Sequence, residues 1–136
     1  MQLKVGDVLK VKIEVKGNGI NSVEVDADYD KTLFEYKQTA KNINLFPDII
    51  AGLKNNLPGR VAISGTLPGT ATVNLPVKDW IVEISFQALA VGTANFTLFK
   101  HIARDATNAE LASRATNSED VFVIETEVIE FFVTIV

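Results

Sequence analysis

The chain has 136 residues, and its 13 Lys and Arg against 17 Asp and Glu give a net charge of -4 and a pI of about 5.0. This length predicts a single domain spanning residues 1–136, and the acidic balance disfavours a nucleic-acid partner, because phosphate binding needs a basic face. Cysteine is absent and His101 is the single histidine. Disulfides, thiol catalysis and multi-histidine metal centres are therefore excluded, and we expect no enzyme: no catalytic residue, no metal ligand and no cofactor on this chain.

The first third of the chain alternates between apolar and polar residues. Val8–Val15 and Ile20–Tyr29 each place aliphatic side chains on one face and charged ones on the other, which predicts half-buried strands. Lys16–Gly19 joins them with Gly and Asn, residues that tolerate positive φ in turns. Leu33–Gln38 predicts a further short strand after a turn at Asp30–Lys31.

The strongest strand signal lies further along the chain. In Trp80–Leu89, apolar residues alternate with Glu, Ser and Gln, and Thr93–Phe99 repeats the pattern after a Val91–Gly92 turn. Arg60–Ser64 predicts another strand, bracketed by two Leu-Pro-Gly turns. Thr107–Ala115 is the one helix-like segment, and between strands it is equally a loop or an edge strand.

From the two ends of this sequence we expect neither a membrane-spanning segment nor a signal peptide. The C-terminal segment Val121–Val136 is rich in Val, Ile and Phe, but glutamates interrupt it, so we expect no membrane insertion. The N-terminus has charges where a signal peptide needs an unbroken apolar stretch. If the natural protein is secreted, this chain is a domain excised from a larger protein.

Short alternating segments separated by Gly, Pro and Asn turns predict an all-β protein, an antiparallel β-sandwich with jelly-roll topology. We expect the N-terminal strand Val8–Val15 and the C-terminal strand Val128–Val136 to lie close together. The predicted core consists of inward-facing residues from these strands: Leu9, Val11, Ile13, Val23, Val25, Val82, Ile84, Phe86, Phe96 and Leu98.

Four segments resemble cohesin domains. Val5–Ile13 is similar to their Val-Gly-Asp opening and first alternating strand, and Gly19–Asp30 resembles the segment in which a Gly leads into a strand ending in Tyr-Asp. Lys78–Ala88 is similar to the cohesin strand that contains Ile-x-Phe-x-Ala, and Gly92–Phe96 fits the turn and strand that follow. The likeness covers nearly the whole chain in order and spacing.

The resemblance implies a non-catalytic interaction module that binds a dockerin, a small calcium-dependent helical module, and so assembles proteins into larger complexes. Calcium is then expected on the dockerin rather than on this chain. The resemblance also implies a secreted or cell-surface location as part of a larger scaffold protein.

In cohesins the outward face of the second strand contacts the dockerin, and the matching positions here are Ser22 and Glu24. Glu24, Asp26 and Asp28 form an acidic stripe beside the small residues of the Arg60–Ser64 strand. A flat face of small residues and carboxylates accepts a helix carrying Lys, Arg, Ser or Thr. The predicted partner-binding residues are Ser22, Glu24, Asp26, Arg60, Ala62 and Ser64.

Other interpretations compete with this one. Asp26, Asp28 and Asp30 invite a calcium-loop hypothesis, but lysines occupy the positions that need Gly and Glu, so a solvated strand face and a turn Asp are favoured. Trp80 is either a sugar-stacking platform or, as we predict, a core residue. Two alternative functions stay open: a carbohydrate-binding module with a polysaccharide partner, and a structural domain of a cell-surface or adhesin protein.

Overall fold

The computed structural model describes residues 2–111, 122–124 and 130–136. The described strands are β1 (Gln2–Leu3), β2 (Val8–Ile20), β3 (Ser22–Asp28), β4 (Phe34–Lys41), β5 (Ile50–Leu53), β6 (Arg60–Thr66), β7 (Val73–Ala88), β8 (Gly92–Arg104), β9 (Phe122–Ile124) and β10 (Glu130–Ile135). A 3₁₀ turn at Lys54–Asn56 connects β5 to β6. Within these ranges no helix is long and apolar enough to cross a membrane.

The strands form two stacked sheets. A six-stranded sheet has the order β1-β10-β8-β3-β6-β5, and a four-stranded sheet has the order β4-β7-β2-β9. All neighbouring strands are antiparallel except β1 and β10. The predicted all-β, antiparallel sandwich with jelly-roll topology is confirmed.

Side chains from both sheets meet in one hydrophobic core. Nine of the ten predicted core residues are at most 7% exposed, and Val11 is half-buried at the edge of the core. Phe86 lies at the centre, with its ring centroid 4.8 Å from that of Tyr29 and 5.3 Å from that of Phe96. Phe34 packs edge-on against Phe96 at 5.1 Å, a preferred aromatic geometry.

The predicted proximity of the two terminal strands is wrong for Val8–Val15. That segment belongs to β2, which pairs with β7 and β9 in the four-stranded sheet, whereas β10 lies in the other sheet. Instead, β1 pairs with β10 in parallel, with Gln2 opposite Thr134, and the chain then crosses to the four-stranded sheet. Residues 125–129, which include Val128, lie outside the described ranges.

Candidate functional site

The candidate face is the outer surface of the four neighbouring strands β5, β6, β3 and β8. Its orientation follows from β3, where Val23 and Val25 are buried and the alternate residues therefore point away from the core. Strand pairing aligns the outward residues in four rows: Thr66–Ser22–Arg104, Ile50–Ser64–Glu24–Ile102, Gly52–Ala62–Asp26–Lys100 and Arg60–Asp28. All six predicted partner-binding residues lie in these rows.

Small residues make the middle of the candidate face flat. Gly52 and Ala62 lie directly opposite each other on β5 and β6. A Cβ atom added to Gly52 would meet no heavy atom within 4 Å, so the space above it is open. A partner can therefore bring its backbone close to the sheet at this point.

Glu24 is held by two cations from β8. Lys100 Nζ donates to its Oε1 at 2.7 Å, and Arg104 Nη1 donates to its Oε2 at 3.2 Å. The hydrogen bond from Lys100 is the largest influence and, with Arg104, lowers the pKa of Glu24 below its ordinary value although partial burial opposes the shift. Glu24 points outward, as predicted, but its negative charge is already compensated.

Asp26 differs most from the prediction. It points outward from β3 but is only 3% exposed, so it is not the solvated carboxylate that the alternation predicts. Lys54 Nζ donates to Asp26 Oδ2 at 2.7 Å and lies over it. The 3₁₀ turn positions this lysine, and Asn55 and Asn56 allow the turn because asparagine tolerates their positive φ of 55° and 57°. A partner would meet Lys54 rather than Asp26.

Asp28 and Arg60 form a two-pronged ion pair. Arg60 Nε donates to Asp28 Oδ1 at 2.6 Å, and Arg60 Nη2 donates to Oδ2 at 3.0 Å. The guanidinium carbon of Arg60 also lies 3.9 Å from the ring centroid of Phe99, which is within range for a cation–π interaction. Phe99 is 63% exposed. Arg and aromatic side chains held in place in this way are typical interface anchors.

The charges of the candidate face cancel. Each of the three carboxylates of the predicted acidic stripe is paired with a cation of the same face, and Arg104 also lies 3.9 Å from Glu110. The stripe therefore offers little net negative potential to a basic helix. The sequence predicted a helix carrying Lys, Arg, Ser or Thr, and these ion pairs remove the electrostatic reason for the Lys or Arg but leave the Ser or Thr contacts as predicted.

Sequence reasoning missed several contributors to the face. Lys54, Lys100 and Arg104 supply the compensating charge, and Phe99 and Ile50 supply exposed apolar surface, with Ile50 73% exposed beside Ser64. The available signal for the second half of β8 was the spacing of Lys100 and Arg104, which allows both cations to lie on one face of a strand. It was obscured because the alternation changes phase at Phe99.

Carboxylates near the face show no metal-binding arrangement. In the described ranges no group of three or more His, Asp or Glu side chains is placed to hold a metal ion. Asp30 Oδ1 accepts hydrogen bonds from the backbone N–H of Thr32 at 2.9 Å and from its hydroxyl at 2.6 Å. These bonds lower the pKa of Asp30, as expected for an Asp that stabilises its own turn.

The sequence matches no protein-family model and no curated protein. Solved structures are similar over most of its length. The CaCohA2 cohesin of Clostridium acetobutylicum shares 18% identity at a TM-score of 0.72, over 99% of this chain and 85% of that one.

Two further structures contain a dockerin. The OlpA cohesin of Clostridium thermocellum, in a type I cohesin–dockerin complex, shares 14% identity at a TM-score of 0.69, over 100% of this chain and 94% of that one. The sixth cohesin of scaffoldin B from Acetivibrio cellulolyticus, also with a dockerin, shares 16% identity at a TM-score of 0.66, over 82% and 85% of the two chains. The chain has the fold of cohesin modules.

Proposed function

We propose that this chain is a non-catalytic interaction module that binds a dockerin-type helical module across the candidate face. The observation that carries the proposal is the likeness, over nearly the whole chain, to cohesins whose structures were determined with a dockerin. The outer face of β5, β6, β3 and β8 supports it, because it combines a flat centre with fixed polar groups and exposed apolar residues.

The chemistry of the face favours a partner helix with apolar and uncharged polar contacts. Since the carboxylates are paired within the face, a basic helix would gain little net attraction and would have to displace Lys54, Lys100 or Arg104. Gly52 and Ala62 give the helix room to approach, while Ile50 and Phe99 offer apolar anchors at the two sides. Affinity would come from this packed patch rather than from long-range charge.

The proposal extends to the setting of the module. We infer a secreted or cell-surface protein in which this domain is one part of a larger chain, as the cohesin resemblance implies. Calcium would belong to the dockerin, and this chain would contribute only its preformed sheet surface. A rigid sheet face binds without remodelling its own backbone, which limits the entropy lost on association.

Titration calorimetry against a panel of purified dockerins tests the proposal. Ala62→Trp puts a bulky ring at the flat centre and should abolish binding to any dockerin that the parent binds. Gln38→Trp is the matched control, because Gln38 is an exposed strand residue on β4 in the other sheet. If Ala62→Trp binds like the parent while Gln38→Trp does not, the partner binds the four-stranded sheet and the proposed site on the candidate face is wrong.

A further inference from the structure

The outer face of the four-stranded sheet contains a groove on the opposite side of the molecule from the candidate face. Lys12, Ala40, Trp80 and Glu83 line it, and its volume is about 190 Å³. Pairing of the strands places Lys12 and Ala40 on either side of Glu83, on β2 and β4 respectively. We call this feature the Trp80 groove.

Trp80 is held in the groove rather than in the core. Contrary to the sequence interpretation, it is half-buried and does not belong to the core cluster. Its carbonyl oxygen accepts a hydrogen bond from Asn42 Nδ2 at 2.8 Å, and its backbone N–H donates to Asp79 Oδ1 at 2.8 Å. Asn42 is itself only 7% exposed. The backbone that carries the indole is therefore fixed before any ligand arrives.

The charged residues of the groove are available for a ligand. Lys12 and Glu83 lie directly opposite each other and carry opposite charges, an arrangement that normally favours an ion pair. Neither side chain forms a hydrogen bond or ion pair with the part of the chain that the structure describes. Both side chains line the groove, which leaves one donor and one acceptor facing the same space.

Glu14 adds a second carboxylate near the indole. It lies opposite Trp80 across β2 and β7 and is 9% exposed. Like Glu83, it has no hydrogen-bond or ion-pair partner within the described ranges. Its carboxylate oxygens keep contact with solvent, so a ligand hydroxyl held on the neighbouring indole would donate to them in place of water.

We propose that the Trp80 groove binds one pyranose ring of a neutral carbohydrate. The indole presents an apolar face on which the C–H face of a sugar stacks. Lys12 donates to a ring hydroxyl and Glu83 accepts from its neighbour, which suits sugar hydroxyls because each of them both donates and accepts. Ala40 leaves space where a longer side chain would fill the groove. An acidic sugar is disfavoured, because Glu83 in the groove and Glu14 beside Trp80 carry two negative charges against the one positive charge of Lys12.

Trp80 is the single tryptophan of the chain, so its fluorescence reports on this groove alone. Titration with the methyl glycosides of glucose, galactose, mannose and N-acetylglucosamine should give a saturable change with at least one of them. Glu83→Gln and Lys12→Gln should each weaken that binding by about tenfold or more, since each removes a charged hydrogen-bond partner. Lys10→Gln, on the same face of β2, is the matched control and should leave the affinity unchanged.

Three results would overturn the proposal: no saturable change with any glycoside up to its solubility limit, equal affinities in Lys12→Gln, Glu83→Gln and parent, or tighter binding of methyl galacturonate than of the neutral glycosides. Trp80→Ala, followed by calorimetry, should lose binding altogether. A melting curve shows whether that variant folds. If it does not, the affinities of Lys12→Gln and Glu83→Gln still test whether the groove binds the sugar. Measured by calorimetry, because it adds a second tryptophan, Ala62→Trp should bind the sugar like the parent, which keeps this inference separate from the dockerin proposal.

Discussion

Lys54 reaches from the 3₁₀ turn to Asp26 on β3, where its Nζ lies 2.7 Å from a carboxylate that is only 3% exposed. This one contact compensates a buried charge and also attaches the β5–β6 connection to the surface of the sheet. It makes Asp26 a structural residue of the candidate face.

Loss of Lys54 should therefore destabilise the fold. We expect Lys54→Met to lower the free energy of unfolding by about 1–3 kcal/mol, because the buried Asp26 carboxylate loses its donor. Urea denaturation at neutral pH measures this change. Adding Asp26→Asn to Lys54→Met should recover part of the loss. If Lys54→Met is as stable as the parent, solvent rather than Lys54 compensates Asp26.

Glu24 should contribute to stability in a pH-dependent way. Its pKa is lower in the folded protein than its ordinary value of 4.5, so its contribution is complete above that value and disappears as pH falls through the lowered pKa. Glu24→Gln should be less stable than the parent at pH 7, and the difference should vanish in acid. Glu35→Gln, on the exposed edge strand β4, is the control. If the stability difference between Glu24→Gln and the parent does not change with pH, the ion pairs of the Glu24 carboxylate are not its source.

His101 should make the protein less stable on mild acidification. Burial lowers the pKa of the His101 ring below 6.5 in the folded protein. Between the lowered pKa and 6.5 the unfolded chain therefore binds more protons than the folded protein, and the free energy of unfolding falls as the pH drops through this range. NMR titration of the ring should give a pKa below 6.5. His101→Gln should remove the decline in urea midpoint between about pH 7 and pH 5.5. A ring that titrates above 6.5 would refute the prediction.

Phe86 should be among the most costly core residues to truncate. Its ring lies within 5.3 Å of both Tyr29 and Phe96, and it is 1% exposed. Phe86→Ala should cost about 3–5 kcal/mol through the cavity that it leaves, whereas Phe99→Ala should cost far less because that ring is 63% exposed. Chemical denaturation measures the free energy of unfolding of both variants. Equal losses in the two variants would contradict the central role of Phe86 in the core.

If the chain binds a dockerin as proposed, the apolar residues of the candidate face should dominate the affinity. Ile50→Ala and Phe99→Ala should each weaken binding about tenfold or more with little change in melting temperature. Because the charges of the face cancel, raising the salt concentration should change the affinity only slightly. A steep salt dependence, with both alanine variants binding like the parent, would show that a basic partner is recognised through charge.

The period of two located the strands well, because inward residues such as Val25 and Ile84 follow the side-chain alternation that every strand imposes. It failed where a strand carries one extra residue. Phe99 is unpaired between Leu98, opposite Ala27, and Lys100, opposite Asp26. Continued past this β-bulge, the alternation would place Lys100 in the core, so the predicted strand stops before the residues that compensate Glu24 and adjoin Asp26.

A second bulge explains the wrong interpretation of Trp80. Ile81 is the extra residue between Val82, opposite Ile13, and Trp80, opposite Glu14. Bulges redirect side chains without leaving a clear signal in a single sequence. The contact of Lys54 with Asp26 could not be predicted from the sequence either. It joins residues 28 positions apart, and the alternation does not specify the path of the turn that carries Lys54.

The bulge at Phe99 has an evolutionary consequence. Without Phe99, Leu98 and Lys100 would still pair with Ala27 and Asp26, so the strand needs no residue at this point to keep its alternation. A lineage can therefore gain or lose this aromatic ring through a single in-frame codon insertion or deletion, while every other side chain of β8 keeps its side of the sheet. If a partner binds this face as proposed, its preference can diverge by such a step, which removes the contact between Arg60 and Phe99 and keeps the strand pairing.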